Sequence, residues 1–133
     1  MYRVSREISF CYGHRLLGHQ GKCRYLHGHN GLAVVTLETP GLDELGMVAD
    51  FGDLKRALGG WIDETLDHRM ILHRDDPALP ILLSQGEPVL VMDVNPTAEN
   101  IARLIFDHAE KCGFPVAEVR LWETPSAYAT YSR

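Results

Sequence analysis

An α+β fold, a four-stranded antiparallel sheet covered on one face by two helices, is what the sequence predicts, and three observations predict it. Residues 2–10, 27–38, 117–123 and 128–131 carry the alternation or the β-branched and aromatic content of strands. Two further segments, opening at Phe51 and near Ala98, carry apolar residues at helical spacing. Their order is strand, strand, helix, helix, strand, strand, which keeps each strand beside its sequence neighbour and sends both helices to one side. At 133 residues the chain reads as a single domain, 1–133, large enough to bury a core without a structural metal.

Each element has its own justification. Tyr2, Val4, Ile8 and Phe10 alternate with Arg3, Ser5, Glu7 and Ser9, a half-buried strand with one slip near Arg6. The second strand ends at Thr39-Pro40-Gly41, where proline fixes φ and glycine accepts a positive one. Gly46 to Asp50 reads as a short extended segment. Phe51, Leu54, Ala57, Leu58, Trp61, Ile62 and Leu66 then recur at helical spacing, with Asp50 as N-cap and Gly59-Gly60 as the place for a bend or break. Residues 73–95 contain Pro77, Pro80 and Pro88 and read as an elaborated loop, with one short apolar run, Val89 to Met92, as an extra strand. Asn95 to Glu99 opens the second helix, which runs to Lys111 and stops at Gly113; His108 lies on its apolar stripe and reads as structural. In the next strand Ala117, Val119, Leu121 and Glu123 share a face, so a carboxylate ends an otherwise apolar row. Tyr128, Thr130 and Tyr131 complete the last strand.

Composition excludes several classes. A hydrophobic share of 45% and a charged share of 23% are those of an ordinary globular protein. The formal charge of −5, with acidic residues dispersed, leaves no basic stripe for nucleic acid and no polybasic patch for a membrane surface. No apolar run approaches the ~18 residues of a spanning helix, and no secretory leader follows Met1, so the cytoplasm is the expected compartment. Cys11, Cys23 and Cys112 are odd in number and irregular in spacing, which predicts free thiols. Cys11 and Cys112 read as small buried hydrophobes.

The densest chemistry lies in Cys23-Arg24-Tyr25-Leu26-His27-Gly28-His29. On a strand, His27 and His29 project from the same face. The loop from Gly18 to Leu26 is long enough to return the chain beside His14, giving three imidazoles and an open fourth position, the pattern of a catalytic zinc site. Two bland readings stand beside it: a pair of half-buried polar residues on a strand, or a closed structural site with Cys23 as fourth ligand.

Several short stretches occur in order along the chain: Ser9-Phe10 to His14-Arg15-Leu16, Cys23 to His29, Asp50-Phe51 with Leu54-Lys55, Leu66-Asp67-His68, Asn95-Pro96-Thr97 with Glu99, and Glu123-Thr124. Together they resemble the family of 6-pyruvoyl and 6-carboxytetrahydropterin synthases over nearly the whole chain. A cysteine four residues before His27 is similar to the 6-carboxytetrahydropterin branch, since the pyruvoyl synthases carry a longer gap. The resemblance implies the tunnelling fold, closed into a barrel in a homo-oligomer, a hexamer of two trimers with sites shared between chains. It implies zinc on His14, His27 and His29 and a dihydroneopterin triphosphate substrate. It also implies Cys23, flanked by Lys22 and Arg24, as general base, Asp67 and His68 as a dyad relaying a second proton, and Glu123 as the carboxylate that anchors the pterin ring. The implied reaction yields 6-carboxytetrahydropterin, acetaldehyde and triphosphate, a step towards queuosine and other deazapurines. The rivals are triphosphate elimination to 6-pyruvoyl tetrahydropterin and a silent pterin-binding or structural zinc protein; the last needs neither Cys23 nor the dyad. Candidate cations for the triphosphate are Lys22, Arg24, Arg15 and Lys55, while His19 and His73 read as bystanders. Cys11-Tyr12-Gly13, Trp122 and the long 73–95 segment depart from the family pattern.

Overall fold

Alternation along the first hairpin sets the whole architecture. The computed structural model describes residues 1–133. In it β1 (Tyr2–His14) and β2 (His27–Thr39) run antiparallel in unbroken register, from Tyr2 opposite Thr39 to His14 opposite His27. The slip expected near Arg6 does not occur: Arg6 keeps its place opposite Val35. Even-numbered residues of β1 and odd-numbered residues of β2 therefore face one way, and Phe10, Tyr12, Ala33, Val35 and Leu37 are buried there.

The helices cover that face. Asp50 caps α1 (Phe51–Leu54) by accepting from the Gly52 N–H at 2.7 Å, as expected. A π-helical stretch (Lys55–Gly59) and α2 (Gly60–Thr65) follow without interruption, so the two glycines do not break the helix; the irregularity is the widened turn that leads into them. Leu54, Leu58, Ile62 and Leu66 come from this segment, and Ile101, Ala102, Ile105, Phe106 and Ala109 from α4 (Ala98–Lys111); together with the sheet they form one buried cluster. Thr97 is the N-cap of α4, accepting from Asn100 N–H at 3.1 Å, and Gly113 ends the segment at φ 90°.

The sheet has six strands, in the order β4 (Val89–Met92), β3 (Arg69–His73), β1, β2, β5 (Val116–Thr124), β6 (Ala127–Ser132); the sequence reading expected four and the extra strand at Val89 to Met92, so β3 alone is unforeseen. The expected antiparallel set is present as β1, β2, β5 and β6. Added to the β1 edge, in parallel, are β3 and β4. β3 escapes a period-two search because Met70, Ile71 and Leu72 form a continuous apolar run, as in strands covered on both sides. The 73–95 segment also holds α3 (Ala78–Ser84); its Pro77 is the N-cap and Pro80 lies in the first turn, where missing N–H groups cost no internal hydrogen bond. Gly46 to Asp50 is not a strand: the preceding turn is closed by Asp43, whose carboxylate accepts from Leu45 and Met47 N–H groups at 2.9 Å. No helix is long and apolar enough to cross a membrane.

Candidate active site

The strand register brings three imidazoles together. His14 ends β1 directly opposite His27, and His29 lies two residues further on the same face of β2. Ring centroids are 4.5 Å apart for His14–His27, 5.0 Å for His14–His29 and 5.1 Å for His27–His29. One nitrogen from each falls within 4.8 Å of the other two.

Two of the rings are held by their far nitrogens. His14 Nδ1 lies 2.7 Å from the Pro96 carbonyl and His27 Nδ1 2.7 Å from the Tyr25 carbonyl, so each Nδ1 donates and each Nε2 is left as an electron-pair donor. Burial holds His14 below the usual imidazole range, against the pull of the Pro96 carbonyl and the Glu123 carboxylate, which keeps it neutral. His14 Nε2 and His29 Nε2 are 3.1 Å apart. Two nitrogens bonded to one tetrahedral ion at ~2.0–2.1 Å stand roughly 3.3 Å apart, so the donor set fits zinc in number and type, and the His14–His29 pair fits it in spacing.

The segment that braces His14 was read from sequence only as a helix start. Asn95 clamps the chain beyond His14 with two hydrogen bonds to Leu17, 2.9 Å from its N–H and 3.0 Å to its carbonyl, while Pro96 supplies the carbonyl for His14. Arg15 forms a two-pronged ion pair with the fully buried carboxylate of Asp76, one contact at 2.7 Å. The Arg15 guanidinium holds the Asp76 carboxyl below its ordinary range despite burial. Arg15, a candidate for the triphosphate, is thereby committed to the fold, whereas Lys22 and Lys55 have no ion pair and Arg24 leans on Tyr25.

Glu123 reaches the same end of the sheet. Its carboxylate lies 3.8 Å from His14 Nε2 and 4.0 Å from His29 Nε2, and accepts from Tyr12 Oη at 3.4 Å. Burial, then Glu123, raises the Tyr12 hydroxyl above its ordinary range, so it is a donor. A cavity of about 600 Å³ opens beside His29 and Glu123, bounded by Trp122, Thr124 and Pro125.

Asp67 and His68 form the expected pair, with Asp67 Oδ2 2.7 Å from His68 Nδ1. Burial pushes the Asp67 carboxyl up, but the Cys11 N–H at 2.9 Å and His68 outweigh it, and the group lies below its ordinary range. Within one chain the thiol beside this pair is Cys11, not Cys23: ligand atoms of Cys11, Asp67 and His68 lie within 4.8 Å of one another. Cys11 falls between Phe10 and Tyr12 and so points from the opposite face of the sheet to the three histidines. Cys23 sits in a single helical turn (Lys22–Arg24) whose carbonyl accepts from Leu16 N–H at 2.9 Å, and no hydrogen bond joins it to the dyad.

The remaining candidates are locally engaged. His19 Nδ1 accepts from Gly21 N–H and His73 Nδ1 from Asp75 N–H, each at 2.9 Å, in their own turns. His108 stacks on Trp61 at 4.1 Å, a packing role. All three thiols are free, but Cys112 is exposed and Cys11 half-buried, so neither is the fully buried hydrophobe that was expected.

The family described as 6-pyruvoyl tetrahydropterin synthase matches residues 3–133. A 6-carboxy-5,6,7,8-tetrahydropterin synthase of Rickettsia bellii is 42% identical, with 96% of this chain and 98% of that protein covered. Among solved structures, an uncharacterized protein from Wolinella succinogenes superposes with a TM-score of 0.84 at 30% identity, covering 99% and 98% of the two chains. The 6-pyruvoyl tetrahydropterin synthase of Caenorhabditis elegans superposes at 0.74 with 26% identity, covering 99% and 95%.

Proposed function

The chain belongs to the 6-pyruvoyl tetrahydropterin synthase family and has its tunnelling fold, and from that premise we propose a zinc-dependent lyase that converts 7,8-dihydroneopterin triphosphate and one water to 6-carboxy-5,6,7,8-tetrahydropterin, acetaldehyde and triphosphate. The observation that carries the reading is the meeting of three imidazoles and the Glu123 carboxylate beside a cavity of about 600 Å³, a volume in the range of small-molecule sites. The name borne by the Rickettsia bellii relative supports the carboxy product.

His14, His27 and His29 hold the ion, which when bound supplies Lewis acidity that eases loss of a carbon-bound proton nearby. Glu123 accepts hydrogen bonds from the amino and N–H edge of the pterin ring and so fixes which side-chain carbon lies near the histidines. Cys23 takes the proton as thiolate, and His68, oriented by ionised Asp67, relays a second one through its free Nε2. Because no hydrogen bond links Cys23 to the dyad within a chain and His68 is 78% exposed, the reading includes a homo-oligomer, a hexamer of two trimers, in which one chain's dyad completes its neighbour's site. Barrel closure also buries the open edges of β4 and β6.

Incubating the purified, zinc-loaded protein with 7,8-dihydroneopterin triphosphate and identifying products by mass spectrometry tests the proposal. 6-Carboxytetrahydropterin with acetaldehyde is expected. A 6-pyruvoyl product would assign the other branch, and ring binding without turnover would leave a silent binding module. The deazapurine pathway would then follow from the product.

A further inference from the structure

Tyr12 is the one buried aromatic side chain at the site to which the proposed reaction gives no task. Its residue is 3% exposed, its ring stacks on Phe10 at 5.3 Å, and it meets His14 edge-on at 5.3 Å. From β1 the ring passes over β2 at Gly31, the only residue type there that leaves room: a Cβ on Gly31 would lie 2.9 Å from Tyr12 Cε1 and 3.4 Å from Cδ1. A glycine inside a strand marks such close approaches. Having crossed that gap, the hydroxyl reaches β5 and donates to Glu123 Oε1 at 3.4 Å, its sole hydrogen bond. Glu123 lies where the β5–β6 pairing is irregular, between Trp122 and Thr124, so the sheet alone does not fix its direction.

We propose that Tyr12 is a positioning residue that reaches over Gly31 to hold Glu123 in the rotamer that receives the substrate's ring. Tyr12 engages Oε1 on the side of His14; Oε2, which accepts no hydrogen bond, and the second lone pair of Oε1 are left for N–H donors. The inference rests on Glu123 being the ring anchor, as read above. It adds a selectivity device: without the hydroxyl, a glutamate with several free torsions samples other rotamers and the ring loses its partner.

The test measures substrate KM and the Kd of 7,8-dihydroneopterin, which lacks the triphosphate, for zinc-loaded wild type, Tyr12→Phe, Glu123→Gln and the double variant. Zinc content and circular dichroism are followed throughout. Tyr12→Phe is expected to raise KM and Kd about fivefold, the order of an ordinary hydrogen bond, since the 3.4 Å contact is long, with kcat within about twofold and zinc unchanged. In the Glu123→Gln background the same change is expected to add almost nothing, because the two residues act as one unit. Gly31→Ala, which pushes the ring from its path, is expected to raise Kd in the same direction. Wild-type affinity in Tyr12→Phe, or effects that multiply in the double variant, overturns the positioning role while leaving the anchor intact. Wild-type affinity in Glu123→Gln overturns both. A purely structural Tyr12 lowers the melting temperature and leaves KM and Kd alone.

Discussion

Two trios of potential ligands lie on opposite faces of one strand, and they are built differently. His14, His27 and His29 belong to strands in unbroken register, on the buried face, with two rings tied to backbone carbonyls. Cys11, Asp67 and His68 gather at the β1 edge, in a turn where His68 is mostly exposed. The first trio is finished within the chain: its directions are set before any ligand arrives. The second is half set, with Asp67 fixed by the Cys11 N–H and His68 directed outward. One is preorganised within the chain, and the other directs an exposed imidazole outward, as the proposed shared site requires.

Removing one member of the buried trio gives the largest expected effect. On the proposed reading His27→Ala should cost the zinc and bring turnover below detection, while circular dichroism stays native, because the core cluster of 18 residues does not include the three histidines. Retained zinc in that variant, read by metal analysis, would mean that the trio is not the metal site.

The two thiols sharpen the contrast next. Cys23→Ala is expected to lower kcat by about 10²- to 10⁴-fold, the loss of a general base, with zinc unchanged. Cys11→Ala should change kcat less than about threefold, because the contact that fixes Asp67 comes from the Cys11 backbone N–H and survives the substitution. If the ranking inverts, the base is the thiol that touches the dyad within its own chain, and the shared site is not needed. Mixing Cys23→Ala with His68→Ala subunits, unfolded and refolded together, separates these cases directly. A shared site should recover about a quarter of wild-type activity by random assembly; no recovery is expected if each chain is self-sufficient.

A smaller effect concerns what braces the buried trio. Asp76→Asn strands Arg15 next to His14 and should destabilise the chain by roughly 2–3 kcal/mol at neutral pH, somewhat less than a wholly buried broken pair, because Arg15 is partly exposed. The folded Asp76 carboxyl lies below its ordinary value of about 3.9, so the pair's contribution is complete above that pH and is lost as pH falls through the folded value. Melting curves of wild type and variant should therefore converge in acid and stay apart from pH 5 upward. Parallel curves at all pH values would remove the pair from the account.

The buried trio was legible because alternation is a local signal: His27 and His29 share a face on any strand, and a hairpin returns them to His14. The second trio was legible only as Asp67 and His68. Its thiol joins through the parallel β1–β3 edge, and Met70-Ile71-Leu72 carries no period that announces a strand. The brace on His14 was equally hidden, since Pro96 lies 82 residues away and its carbonyl leaves no mark in the sequence. Gly31 was an unread signal: a glycine inside a strand, whose cause is the Tyr12 ring lying over it.

His68 has a backbone φ of 58°, the only non-glycine residue on the left-handed side. Histidine tolerates this region better than branched residues, yet a glycine there is easier by about 1 kcal/mol. His68→Gly should thus raise the melting temperature by roughly 3–5 °C while abolishing turnover, and an unchanged or lower melting temperature would show that the turn is not strained. Selection for foldedness alone would drift this position to glycine. If the proposed relay is what keeps an imidazole there, a descendant of this chain that lost the reaction should lose this histidine before it loses any residue of the buried trio.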